Sequence, residues 1–223
     1  MWQRFRIWMG NMALVVLVVL LFIGVMKVRE YAELKQVIEN LKADSRIAEV
    51  LVTESLLDEL TGLFKTTIKF LEFDVKGRAL APKYMTFHGN QIQFQSLVVR
   101  FDDKYVEKGH PLKGRSVYVF LKAFVLSGNE TEVFNIQETE GIPDGYRIPG
   151  VSDKLQKEIW GHFWQYALDP MKRKQIGVKN AQIEAPGSVF VPGTVYTIRI
   201  EHSGGMRIDT APIPEVLKGE TIK

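Results

Sequence analysis

From Met12 to Met26 the chain reads MALVVLVVLLFIGVM, an apolar run without a single charge. A helix gains about 1.5 Å per residue, so roughly 20 residues are needed to cross about 30 Å of hydrocarbon. Extended to Trp8 and Val28 the run just reaches that length. The sequence therefore predicts a short cytoplasmic tail at 1–7 and a transmembrane helix over 8–28. Leu17, Leu20 and Phe22 would sit in lipid, with Trp8 at the interface behind Trp2 and Phe5 at three-residue spacing. A core helix this uniformly apolar would need protein on every side. A cleaved signal peptide would need an A-x-A-like site, and Gly24-Val25-Met26-Lys27-Val28 offers none. An uncleaved signal anchor is expected.

Orientation follows from a near balance of charge. Arg4 and Arg6 precede the run, while Lys27, Arg29, Lys35 and Lys42 follow it. Two arginines directly ahead of an apolar segment are the pattern of a signal anchor, and long following domains translocate largely regardless of charge. The expected localisation is a single-pass protein of the cell membrane with its large C-terminal domain periplasmic or otherwise extracytoplasmic. The lipid bilayer and other membrane or envelope proteins are the expected partners.

Residues 28–60 contain neither Gly nor Pro and are rich in Glu, Leu, Lys and Ala, so the helix is expected to continue as a stalk over 29–62. Tyr31, Leu34, Ile38 and Leu41 alternate spacings of three and four, the a/d pattern of a coiled coil, with Glu33, Lys35, Glu39 and Lys42 flanking them. Two good heptads fall short of the three or four that establish a coiled coil. The readings are homo-oligomerisation through this seam or one amphipathic helix packed on its own domain.

Beyond Gly62 the period changes. TTIKFLEFDV, QIQFQSLVVRF, SVYVFLKAFVL and TVYTIRIEH are dense in β-branched and aromatic residues, and glycine-containing turns separate them. Short connections between close strands predict a mainly antiparallel β-sandwich or barrel-like domain over 63–208. Alternation in the third run would place Val117, Val119, Leu121, Ala123 and Val125 on one face, in a strand covered on both sides. An inserted helix near 152–167 is expected behind an N-cap at Ser152, with a second helix near 170–176. Residues 209–223, with Pro212 and Pro214, read as a loosely ordered tail. The fold class is thus α+β: membrane helix, helical stalk, then a β-rich domain.

Lys and Arg number 29 against 26 Asp and Glu, and hydrophobic residues make up 46% of the chain, which excludes disordered and strongly polyanion-binding classes. Nucleic acid is not an expected partner. With no cysteine there is no disulfide framework. No P-loop, G-x-G-x-x-G, H-E-x-x-H, G-x-S-x-G or S-x-x-K occurs, so the sequence assigns no catalytic residue, no cofactor and no metal. His88, His110, His162 and His202 are scattered; Asp102 and Asp103 lack the full oxygen-rich pattern of a cation loop.

Trp160, Trp164 and Tyr166 stand on the inserted helix, where they either cover the sheet or form a flat surface for a sugar ring or a protein partner. The first functional expectation is a non-catalytic structural or interaction subunit of a cell-envelope complex. A tethered carbohydrate-binding or sensory module and an anchored envelope hydrolase are the alternatives. The succession of membrane helix, coiled coil and β-domain resembles bitopic bacterial scaffold proteins of cell-division and cell-shape assemblies, in layout alone.

Overall fold

The stretch Ala48-Glu49-Val50-Leu51-Val52 places small or branched apolar side chains at every second position, and it folds as a strand. The structure, a computed structural model, describes residues 12, 14–26, 28, 48–59, 62–74, 76–101, 116–127, 130–169, 171, 178–200 and 205–214. Ten strands follow one another: β1 Ala48–Leu57, β2 Phe64–Glu72, β3 Lys83–His88, β4 Gln91–Phe101, β5 Ser116–Ser127, β6 Glu130–Asn135, β7 Val178–Glu184, β8 Gly187–Val189, β9 Thr194–Ile200 and β10 Met206–Pro212. A helix, α1, spans Asp153–Leu168 between β6 and β7.

All strand pairs are antiparallel. The first sheet has the order β10-β9-β1-β2-β3, the second β6-β5-β4-β7 with β8 also paired to β4. Between the sheets lies the main core, in which Phe70 stacks on Phe94 at 5.5 Å and meets Phe120 edge-on at 5.2 Å. Such aromatic pairs add about 0.5–1.5 kcal/mol beyond the area they bury. A second core lies outside the second sheet, where Leu97, Val99, Val117 and Val119 pack under Trp160, Trp164 and Ala167 of α1.

Two features hold α1 there. The Trp164 indole N–H donates to the Gly141 carbonyl at 2.8 Å. Gln156, buried on the same helix, accepts from the Ile148 N–H at 2.9 Å and donates to the Ile148 and Val151 carbonyls, each at 3.1 Å. Ser152 occupies the N-cap position, but its side chain makes no capping bond. Beneath the helix, the Tyr146 hydroxyl accepts from the Tyr118 N–H at 3.1 Å and donates to the Tyr118 carbonyl at 2.8 Å. It thereby serves β5 upstream of the segment that β6 pairs, which runs from Lys122 to Ser127.

Several expectations are corrected. The predicted stalk over 29–62 is not one helix, because Ala48–Leu57 is β1, paired with β2 on one side and β9 on the other. Helix propensities differ by tenths of a kcal/mol per residue. They are outweighed by two hydrogen-bonded ladders and the full burial of Ala48 and Val50. The coiled-coil reading fails with the stalk, and its seam residues Tyr31, Leu34, Ile38 and Leu41 lie outside the described residues. Among the described residues, no helix is long and apolar enough to cross a membrane. That finding overturns the transmembrane helix over 8–28, the signal anchor, the α+β class built on them, and the cell-membrane, periplasmic localisation. Leu17, Leu20 and Phe22 are helical and exposed, whereas Trp8 lies outside the described residues. At the other end, Asp209–Pro212 belongs to β10 rather than to a loose tail.

Candidate interaction surface

The site grows out of an irregularity in β5. Along β4 and β5 the register runs Gln95↔Lys122 and then Ser96↔Phe120, so Leu121 is an extra residue in β5, a bulge. Its carbonyl accepts two N–H groups, from Ile136 at 2.8 Å and Gln137 at 3.1 Å. One extra residue reverses side-chain parity. Upstream, Tyr118 and Phe120 face the other sheet, while Val117, Val119 and Leu121 face α1. Downstream, Ala123 and Val125 face the other sheet, and Lys122, Phe124 and Leu126 turn outward. The expectation of one continuous face from Val117 to Val125 is corrected accordingly.

The bulge divides the outer face of the second sheet. One half is sealed by α1. On the other half, Phe124 is cross-strand partner to Gln93 of β4 and Val133 of β6. Beside them, Leu126 lies opposite Thr131, and Val189 of β8 opposite Gln91. Leu126 is 62% exposed, Val189 49% and Val133 46%. Lys122 lays its ammonium 5.9 Å from the centre of the Phe124 ring, a contact worth about 0.5–1 kcal/mol when exposed. At one end of the sandwich Leu56, Leu57, Leu63 and Phe64 of the β1–β2 hairpin are also exposed. The Gly89 N–H bonds the Phe64 carbonyl at 2.6 Å there. A Cβ on Gly89 would come within 2.9 Å of Val125 Cγ1, so glycine lets the β3–β4 turn close against β5.

A polar clasp borders this face. Glu132 accepts from the His88 N–H at 2.7 Å and lies 2.5 Å from His88 Nδ1, joining β6 of one sheet to β3 of the other. Partial burial pushes the Glu132 carboxyl upward, but the hydrogen bonds from the His88 backbone and ring outweigh it and hold the group below its ordinary value. A depressed carboxyl stabilises the fold above its unfolded-state pKa, and that contribution disappears as pH falls through the folded value. Glu132→Gln should therefore lower stability at pH 7, by less than about 1 kcal/mol at this solvent-screened position. The difference between variant and wild type should shrink as pH falls below the ordinary glutamate range of about 4.3 and disappear below the depressed folded-state value. Urea melts from pH 7 to 3 measure it, and a difference independent of pH would contradict the assignment.

A concavity of about 600 Å³ lies where β3, the end of β6 and α1 meet. Lys83, Arg147 and Lys157 line it together with Glu138, Glu140 and Asp144, so its formal charges cancel. The Lys83 ammonium donates to the Ile136 carbonyl at 2.8 Å and stands 3.8 Å from Asp144. Among the described residues no group of three His, Cys, Asp or Glu could hold a metal ion. His162 is exposed on α1, and His110 and His202 lie outside the described residues.

Trp160 and Trp164 are 1% and 2% exposed, inside the core between α1 and the sheet, so they form no platform for a ligand. Tyr166 belongs to the same helix, its side chain outside the described residues. Sequence reasoning missed Phe124, Leu126, Val133 and Val189. One signal was present: Lys122 is the lone charge between Val117 and Leu126, and unbroken alternation would have turned it into the sandwich beside Tyr118 and Phe120. Comparison with protein-family models, with curated proteins and with solved structures returns no match.

Proposed function

We propose that the chain is a non-catalytic interaction subunit whose β-sandwich receives a protein partner on the uncovered half of the outer face of the second sheet. One observation carries the reading: α1 seals the part of this face above the Leu121 bulge, whereas Leu126, Val133 and Val189 remain in solvent below it. Single exposed apolar side chains are ordinary, but a contiguous apolar area rimmed by polar groups is the signature of a contact surface. Phe124, Leu126 and Val133 form the apolar area on β5 and β6, bordered by Lys122 and by Gln91 and Gln93 of β4, beyond which Val189 lies, and half-buried Phe124 is an anchor of the kind that dominates interface energetics.

The test places a photocrosslinking amino acid at Leu126 and, as a control, at Glu158 on the exposed side of α1. A discrete protein adduct is expected from Leu126 alone. Leu126→Lys combined with Val133→Lys should abolish co-purification of that protein without changing the melting temperature. Equal adducts from both positions, or retention of the partner by the double variant, would overturn the reading.

A further inference from the structure

The outer edge of β10 has a polarity that two hydrogen bonds reveal. The Met206 N–H points away from β9 and donates to Glu184 Oε2 at 2.7 Å, whereas the Ile213 N–H turns toward β9 and donates to the Gly193 carbonyl at 3.0 Å. In an antiparallel ladder the direction alternates along the strand. The register Met206↔Ile200, Ile208↔Ile198, Thr210↔Tyr196 therefore consists of non-hydrogen-bonded pairs, and the amides of Ile208 and Thr210 face outward. No strand pairs with that edge among the described residues. Pro212 closes it, having no N–H to offer.

The side chains are equally ordered. Met206 and Ile208 pack against the core between the sheets, and Arg207 and Asp209 stand on the opposite, outer face. Arg207 lies 3.1 Å from Asp209 within the strand, and Arg199 of β9 lies 3.4 Å from the same carboxylate, with all three side chains about half exposed. This is a short open edge carrying one cation and one anion two residues apart, symmetric about Ile208.

We propose that β10 pairs antiparallel with β10 of a second copy of this chain, on a two-fold axis through Ile208. A two-fold interface brings each position opposite its mirror in the register. Centred on Arg207 or on Asp209, the pairing would oppose like charges; centred on Ile208, it sets Arg207 of each copy opposite Asp209 of the other. Ile208 meets Ile208 as a hydrogen-bonded pair that exchanges both N–H···O bonds, and each Thr210 N–H reaches the Met206 carbonyl across the axis. Arg207 and Asp209 then form non-hydrogen-bonded pairs, in which Cα atoms approach to about 4.5 Å and side chains interact most closely. The two first sheets become one continuous sheet. This surface is separate from the face assigned above to a protein partner.

The register makes a complementation test available. The full chain should dimerise with concentration in sedimentation velocity. Arg207→Asp and Asp209→Arg should each weaken self-association by about tenfold, since each opposes like charges twice across the axis. Mixed in equal amounts, the two variants regain every opposite-charge pair, and dimer should return to the wild-type level. Thr210→Pro, which removes an outward amide, should also yield monomer. Circular dichroism of each variant establishes that the fold is kept. Monomeric wild type, single variants that associate as wild type does, a mixture that fails to recover, or a Thr210→Pro dimer would each overturn the proposal.

Discussion

Trp160→Ala is expected to lower the unfolding free energy by about 3–5 kcal/mol, the range for deleting a large aromatic side chain from a close-packed core. Trp160 is fully enclosed, with Tyr146 at 5.0 Å, Phe163 at 4.8 Å and Trp164 at 6.3 Å between ring centres. Tyr146 reaches Trp160 from the connection leading into α1, while Phe163 and Trp164 belong to α1 itself, so the fold would close only incompletely around the cavity. At 2–4 °C per kcal/mol for a chain of this size, the melting temperature should fall by about 10 °C. Trp160→Phe separates two contributions. The indole Nε1 is buried without a hydrogen-bond partner among the described residues, so phenylalanine removes a desolvated donor while keeping a ring. Its expected cost is about 1–2 kcal/mol, well under that of alanine. Urea unfolding measures both, and a Trp160→Ala cost below about 1 kcal/mol would mean that α1 does not seal the sheet.

The strands that sequence reasoning located are those whose composition leaves little choice. QIQFQSLVVRF and SVYVFLKAFVL form β4 and β5, at the centre of the second sheet, because β-branched and aromatic side chains fit a pleated surface that is buried on its inner face and, under α1, on half of its outer face. The sequence of β1 predicts helix because Glu49, Leu51, Glu54, Leu56 and Leu57 are competent helix formers. The alternation of Ala48, Val50 and Val52 pointed to a strand, yet only pairing with Ile198, Tyr196 and Phe70 far along the chain makes it one. Local propensity contains no term for partners 20 or 150 positions away. The same limit hid the candidate surface. Lys122 hinted at a break in alternation, but the exposure of Leu126 and Val133 depends on where α1 comes to rest, and its rest is set by Gly141, Ile148 and Val151 in the preceding loop. The aromatic helix face shows the converse: Trp160 and Trp164 were legible as one stripe, and packing decided that the stripe faces inward.

That loop is the subject of the second large effect. Gln156→Leu should cost about 2–4 kcal/mol although the replacement is apolar and of similar size. Gln156 is 1% exposed, and its amide makes three hydrogen bonds with the Ile148 N–H and the Ile148 and Val151 carbonyls. Burying leucine there gains about 1–2 kcal/mol of transfer free energy. Against that gain stand three backbone groups deprived of a partner in a site water does not reach, each costing about 1–3 kcal/mol. The balance is destabilising because only one side of each bond is replaced. Gln156→Glu distinguishes this account from one of shape: a carboxylate keeps the acceptor for Ile148 and loses both donors, so at pH 7 it should be at least as damaging as leucine. Hydrogen exchange supplies the local readout. In Gln156→Leu the amides of the loop before α1 should exchange faster than those of β4 and β5, and uniform protection throughout would show that the loop is held by something other than this side chain.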